Sequence, residues 1–195
     1  MKPGLTVLML AVVVCCASQV PARRGDAQSM AVASTERKLR RIESIGSSPH
    51  PPPTRTELSE EEINAYFAAG KVDLPAGVES VRFESEPGVV KATTRVDFER
   101  IKAGRSSFNT LLEVFRGVHD VDVVAHAHAA GGVGYVEVDS VSLDGVEIPR
   151  FVLQLFVANY IQPKYPNLGL DSSFRLPDRI DQATVGAHEL TVTQK

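Results

Sequence analysis

The chain has no Trp and only 2 Cys among its 195 residues, and the two cysteines are adjacent at positions 15 and 16. Outside that pair there is no thiol to build a disulfide framework or a zinc-finger-type metal site, so a hydrophobic core must hold the fold. Charge of one sign is also lacking. Lys plus Arg number 21 against 24 Asp plus Glu, a net charge of −3. A nucleic-acid binder carries a basic footprint, and only one short basic cluster is present, so no nucleic-acid partner is expected. No apolar run reaches the roughly 18 residues of a membrane-spanning helix. No internal repeat and no N-x-S/T sequon occur. Compact catalytic motifs are missing as well: Ser106 and Ser107 lack the G-x-S-x-G context of a nucleophile elbow. Gly131, Gly132 and Gly134 fall in a hairpin pattern and do not open a helix, so a phosphate-loop reading fails. What remains is an ordinary globular composition, 43% hydrophobic and 23% charged, enough for one domain with a real core.

The N-terminus sets the expected compartment. Lys2 is followed by the apolar run from Leu5 to Ala17, and small residues follow at Val20-Pro21-Ala22. This pattern predicts a secretory signal peptide over residues 1–22, cleaved after Ala22. Both cysteines would leave with it. The mature chain would be exported, to the periplasm or beyond the cell, with a net charge of −4 once Lys2 is removed. Val14 before Cys15 does not make a lipobox, so no acyl anchor is expected.

Residues 23–56 read as a leader and linker. Within them, residues 30–44 predict a helix made basic by Arg37, Lys38, Arg40 and Arg41. A solvated helix is the first reading, and peripheral contact with an anionic membrane is the second. Pro51, Pro52 and Pro53 predict an extended spacer. The domain is expected to span 57–195. Ser59 and Glu62 form a capping-box pattern, Ile63, Tyr66 and Phe67 make an apolar stripe, and Gly70 stops the helix. The period then changes to two. Val90, Ala92, Thr94, Val96 and Phe98 alternate with polar residues after the turn at Glu86-Pro87-Gly88, a half-buried antiparallel strand. Residues 99–116 are expected to be partly helical, with Leu111, Leu112, Val114 and Phe115 covering the sheet. A second hairpin follows, its first strand alternating through Val121, Val123, Ala125, Ala127 and Ala129. Its return strand is 133–143, and Asp144-Gly145 makes another turn. Residues 149–161 are the most apolar stretch of the mature chain and predict a helix buried on more than one side. Residues 173–195 predict a closing hairpin. Strands that arrive as hairpins make the class α+β, with an antiparallel sheet curling around the apolar helix.

Chemistry is sparse. His126 and His128 share one face of a strand, but His119 falls on the opposite parity and no third ligand is tied to them, so no metal is expected. Glu60, Glu61 and Glu62 suit a helix start through the macrodipole rather than catalysis. No catalytic residue and no cofactor are assigned.

Four segments carry a family resemblance: LSEEEINAYF at 58–67, RFESEPGVVKATTRVDF at 82–98, VSLDGVEIPRFVLQLFV at 141–157 and FRLPDRIDQATVGAHELTVTQ at 174–194. In this order they resemble the LmeA-like phospholipid-binding proteins and YceB-type lipoproteins of bacteria, members of the tubular lipid-binding (TULIP) superfamily. The resemblance implies a strongly curved antiparallel half barrel wrapped around a long helix, with acyl chains in a groove between them and no catalysis. The missing lipobox and the Pro-rich leader depart from the family. Carried onto this chain, the groove would be lined by Phe151, Leu155, Phe156 and Tyr160 from the helix and by Ala125 and Ala127 from the sheet. The small side chains on the strand leave space in front of the bulky helix residues. Two other readings stand beside it: an envelope assembly or interaction module with a filled core, and a metal-dependent secreted enzyme using His126 and His128.

Overall fold

A computed structural model describes residues 4–49, 51–102, 113–163, 165–166 and 168–195, with side chains from Gly25 onward. The chain begins with helix α1 (Gly4–Gly46), then strand β1 (Thr54–Ser59), α2 (Glu60–Ala68), the hairpin β2 (Val78–Glu86) and β3 (Val89–Asp97), and a short α3 (Phe98–Lys102). The long hairpin β4 (Val118–Ala130) and β5 (Val133–Leu143) follows, with β6 (Val146–Glu147), α4 (Arg150–Phe156), β7 (Asp171–Arg175), β8 (Ile180–Gly186) and β9 (Glu189–Gln194). Past Phe156 the helix widens into a π-helical turn over Val157–Ile161. No described helix is long and apolar enough to cross a membrane.

The architecture is α+β. Among the described residues nine strands join one antiparallel sheet in the order β1-β9-β8-β4-β3-β2, and β5 pairs with β4 and carries β6 and β7. Path ends at β1 and β2 leave the sheet open. β4 is long enough to hold two partners on one edge. β3 pairs with Val118 to His126, and β8 takes over at His128 and Ala129. At the changeover Ala127 N–H donates to Gly88 O, and Gly88 N–H donates to Val185 O. A bulge opposite Val124 and Ala125 inserts Asp139 into β5 and keeps both sides of that strand in phase with β4.

Strand alternation puts one set of side chains on a common inner face. Val121, Val123, Ala125, Ala127 and Ala129 lie on β4 opposite Thr94, Ala92 and Val90 on β3 and Leu143, Val141, Val138, Val136 and Gly134 on β5. At one end α4 packs onto this face. Val152, Leu153, Phe156 and Tyr160 join Val96, Phe98, Phe115, Val121, Leu143 and Ile148 in one core. The rings of Phe115 and Phe156 are 4.3 Å apart, and Phe156 also meets Phe98 at 5.5 Å and Tyr160 at 5.2 Å.

Four expectations change. The 149–161 stretch is a one-sided helix, since Phe151 is 57% exposed and Gln154, Ala158 and Asn159 also face water. Its all-round apolar sequence overstated its burial: Val152, Leu153, Phe156 and Tyr160 face the core, and the opposite side of the helix faces water. Residues 54–56, expected at the end of the linker, join 57–59 at the expected start of the domain to form β1 on β9. Their inward positions are Thr56 and Leu58, too weak an apolar signal over six residues to mark a strand. The basic helix is not a solvated one: Thr35 and Ile42 are buried, and Ile42 O accepts a 2.8 Å bond from Gln194 Nε2. Gln194, 1% exposed, also donates to Asp178 O at 2.6 Å, so α1 is fastened to the end of β9. Finally, Asp171–Arg175 does not belong to the closing hairpin but pairs with β5, leaving β8 and β9 as the hairpin. Of the 99–116 region, α3 and Phe115 are in place, whereas Leu111 and Leu112, like Ser106 and Ser107, lie outside the described residues.

Candidate functional site

The other end of the inner face is covered by α2, and its chemistry starts from the cap. Ser59 Oγ accepts from Glu62 N–H at 3.2 Å, while Glu62 Oε2 accepts from Ser59 N–H at 2.9 Å, closing the expected capping box. Glu62 is shared further. Ser34 Oγ donates to it at 2.6 Å and Lys38 Nζ at 2.7 and 2.8 Å, which ties α1 to α2. Burial pushes the Glu62 carboxyl up, but the bonds from Lys38, Ser34 and Ser59 outweigh it and hold the group below the usual carboxylate range.

One turn on, α2 reaches the sheet through polar side chains. Asn64 Nδ2 donates to Phe83 O at 2.8 Å and its Oδ1 accepts from Phe83 N–H at 2.7 Å. Glu60 Oε2 accepts from Ser85 N–H at 2.8 Å, from Ser85 Oγ at 3.2 Å, and meets His188 Nδ1 at 3.0 Å. His188 stands in the β8–β9 turn with a φ of 57°, donating its N–H to Ser85 O and accepting from Glu60 N–H at its own carbonyl. Burial raises the Glu60 carboxyl. The Ser85 N–H and His188 bonds reverse that, and the net displacement is downward.

Between these elements lies a half-open cavity of about 220 Å³. Its walls are Ile63 and Phe67 from α2, Phe83 and Val90 from the β2–β3 hairpin, and Val185 and Leu190 from β8 and β9. Phe67 and Phe83 meet edge to face, 5.1 Å between centroids. Glu60, Ser85 and Glu189 complete the lining, and the exposed surface inside is almost wholly apolar.

The residues expected to line a groove are dispersed relative to this cavity, and none of the six lines it. Phe156 and Tyr160 are buried in the aromatic core, and Leu155 packs against that core half-buried. Phe151 lies on the outer side of α4. Ala125 is buried and Ala127 half-buried on the inner face of β4, and Ala125 is the direct cross-strand partner of the wall residue Val90. From there Ala92, Ala127 and Val136 continue as a half-buried strip of the inner face. Sequence reasoning missed Glu60 and Asn64 as braces. Their signal was present: an acid and an amide four residues apart share the helix face that carries Ile63 and Phe67.

His126 and His128 are exposed on the outer face. His126 Nδ1 lies 2.8 Å from Asp139 Oδ2, and the His128 ring stacks on Tyr135 at 5.1 Å. Among the described residues no group of three or more His, Cys, Asp or Glu side chains is placed to hold a metal ion. In the basic cluster Lys38 is engaged by Glu62 and Arg40 lies 3.5 Å from Glu36, while Arg37 and Arg41 are exposed. No family model, curated protein or solved structure matches the chain.

Proposed function

We propose that this is an exported, non-catalytic lipid-binding protein of the bacterial envelope, which holds the apolar end of one acyl chain against the inner face of its sheet. The carrying observation is the cavity beneath α2, about 220 Å³ with walls of Ile63, Phe67, Phe83, Val90, Val185 and Leu190. Apolar cavities of about 150 Å³ stay dry and take up benzene-sized molecules, so a space of this size accommodates part of a chain and not a whole phospholipid. Each methylene that enters contributes roughly 0.8 kcal/mol. The strip through Ala92 and Ala127 gives the remainder of a chain a course along the face. On this reading the sheet is the half barrel of the tubular lipid-binding fold, supported by the resemblance over residues 58–195. The site is the α2 end, because at the α4 end Phe156 and Tyr160 fill the space themselves. Periplasmic or extracellular location follows from the signal-peptide pattern at residues 1–22. Membrane contact, where it occurs, uses the exposed Arg37 and Arg41.

The test is uptake of a neutral solvatochromic dye such as Nile red by purified exported protein, alongside native mass spectrometry for a copurified lipid. Uptake should be lost in Val90→Phe with the thermal midpoint retained. A wild-type protein that neither carries lipid nor brightens the dye favours the interaction-module reading, for which the filled aromatic core at the α4 end is the supporting observation.

A further inference from the structure

Among the described residues three longer strands end the sheet, β1, β2 and β7, and they are finished differently. At β2, Asn64 and Glu60 cover the backbone of Phe83 and Ser85. β1 carries Arg55 and Glu57, paired at 2.9 Å. β7 has neither device. Its middle is Ser172-Ser173-Phe174, without a charge, a proline or a bulge, and every residue of the strand except Ser172 is exposed.

The ladder to β5 shows which backbone groups are open. Leu176 N–H donates to Gly132 O and Val138 N–H donates to Leu170 O, in phase with the pairs Phe174–Gly134 and Ser172–Val136. Antiparallel pairs of one type recur every second residue, so the even-numbered positions bond to β5. The N–H and C=O of Asp171, Ser173 and Arg175 point away from it, and among the described residues nothing meets them. The charges at the two ends are opposite. Asp171 is bonded by Arg150 at 2.7 and 2.9 Å but keeps a side-chain exposure of 64%, room for a second cation. Arg175 is exposed and has no ion-pair partner among the described residues.

We propose that β7 is a homodimer interface, in which two copies pair β7 antiparallel across a two-fold axis at Ser173. The sheet of one molecule then runs on into the other, an edge-to-edge pairing of the kind that main-chain hydrogen bonds sustain. This register overlaps the whole strand. It sets Asp171 opposite Arg175 of the second copy at both ends, a favourable cross-strand pair, and Phe174 opposite the small Ser172. Any shift of register shortens the overlap and parts the charges, so the strand is complementary to itself and to no strand lacking that spacing. Exposed Phe174 and Leu168, three residues ahead of β7, add apolar area at the seam. A five-residue strand is a small interface, so the dimer is weak, with a Kd on the order of 10–100 μM. The inference does not depend on what the cavity holds.

The experiment is sedimentation velocity of the purified protein from about 1 to about 300 μM, with thermal midpoints measured in parallel. The wild type should pass from monomer to dimer across this range. Ser173→Pro removes an N–H that the monomer does not use, so the midpoint of the dilute protein should hold while the dimer Kd rises at least about tenfold. Arg175→Glu sets like charges across the seam and should raise the Kd several-fold, and it decides the matter alone if Ser173→Pro fails to fold. A protein that stays monomeric throughout overturns the proposal. So does a dimer whose Kd neither substitution changes, since it uses another surface.

Discussion

Phe156 and Phe67 both come from short helices onto the inner face of one sheet, yet they end in different surroundings. Phe156 is buried and touches the rings of Phe98, Phe115 and Tyr160. Phe67 is half-buried, meets Phe83 alone among the described rings, and borders a cavity. The difference lies in how each helix is attached. α4 is held by its apolar side chains, which settle until they are close-packed. α2 is held by Asn64 and Glu60, whose hydrogen bonds to Phe83 and Ser85 fix the helix at a set distance from the edge of β2. A helix hung on polar braces cannot sink further, and the space beneath it stays open. The lesson is that a hollow in a small domain is maintained by polar contacts at its rim rather than by the size of the residues around it.

The largest test of this contrast is truncation. Phe156→Ala should destabilise the protein by about 3–5 kcal/mol, because it leaves a cavity in a packed ring cluster. Phe67→Ala should cost about half that, since part of the volume it leaves is already empty. Urea unfolding of both variants measures the difference, and equal losses would erase the distinction between the two ends. Enlargement should show the reverse asymmetry at smaller scale. Val152→Phe should cost about 1–3 kcal/mol by overpacking, whereas Val90→Phe should change stability by less than about 1 kcal/mol because there is room for the ring.

The smallest effect, under about 1 kcal/mol at either end, is a difference in the sense of pH dependence. At the start of β4, His119 Nδ1 lies 2.6 Å from Asp144 Oδ2 and Nε2 lies 2.6 Å from Arg116 O, two acceptors that suit an imidazolium. The Asp144 bond is the leading cause that raises the His119 pKa, against a smaller opposing effect of burial. A raised folded-state pKa gives stability that is complete below the ordinary histidine pKa of about 6.5 and lost as pH rises through the folded value. At the α2 end, Glu60 and Glu62 lie below the usual carboxylate range. Their contribution is present above the ordinary carboxylate pKa and lost as pH falls through the folded values. Amide protection, corrected for the intrinsic pH dependence of exchange, should therefore fall near Asp120 as pH rises above about 6.5, and in α2 as pH falls below about 4.3. His119→Gln should remove the first change and leave the second.

Much of the fold was legible because it was local. The capping box at Ser59 and Glu62, the hairpin turns at Glu86-Pro87-Gly88 and Asp144-Gly145, and the alternation through Val121 to Ala129 are short-range patterns, and each appears where its residues predict it. What was not legible depends on partners far away in the chain. β1 is a strand only because β9, some 130 residues later, offers it an edge. In α1, Ile42 is buried beside Gln194 across a separation of 152 residues, and Thr35 against α2, where its Oγ1 donates to Glu62 O at 3.1 Å. The candidate site shares this limit. An all-round apolar helix drew attention to Phe156 and Tyr160, but an apolar face can equally well fill itself. The cavity arises where α2, the β2–β3 hairpin and the β8–β9 hairpin meet, and no one segment announces that meeting. Ala125 lies on the inner face, one strand away from the wall at Val90.

The paired bonds of Asn64 have a consequence for the protein's solubility. A side-chain amide presents the donor and acceptor of a peptide group, and at Phe83 it occupies the place where another molecule's backbone would add. Glu60 occupies the next such position, at Ser85. Together they bring the sheet to a stop at β2 without a further strand. A chain that lost α2 to proteolysis would leave the backbone groups of Phe83 and Ser85 open to pairing with another strand. The helix that holds the cavity open thus also covers the backbone groups of that edge at Phe83 and Ser85.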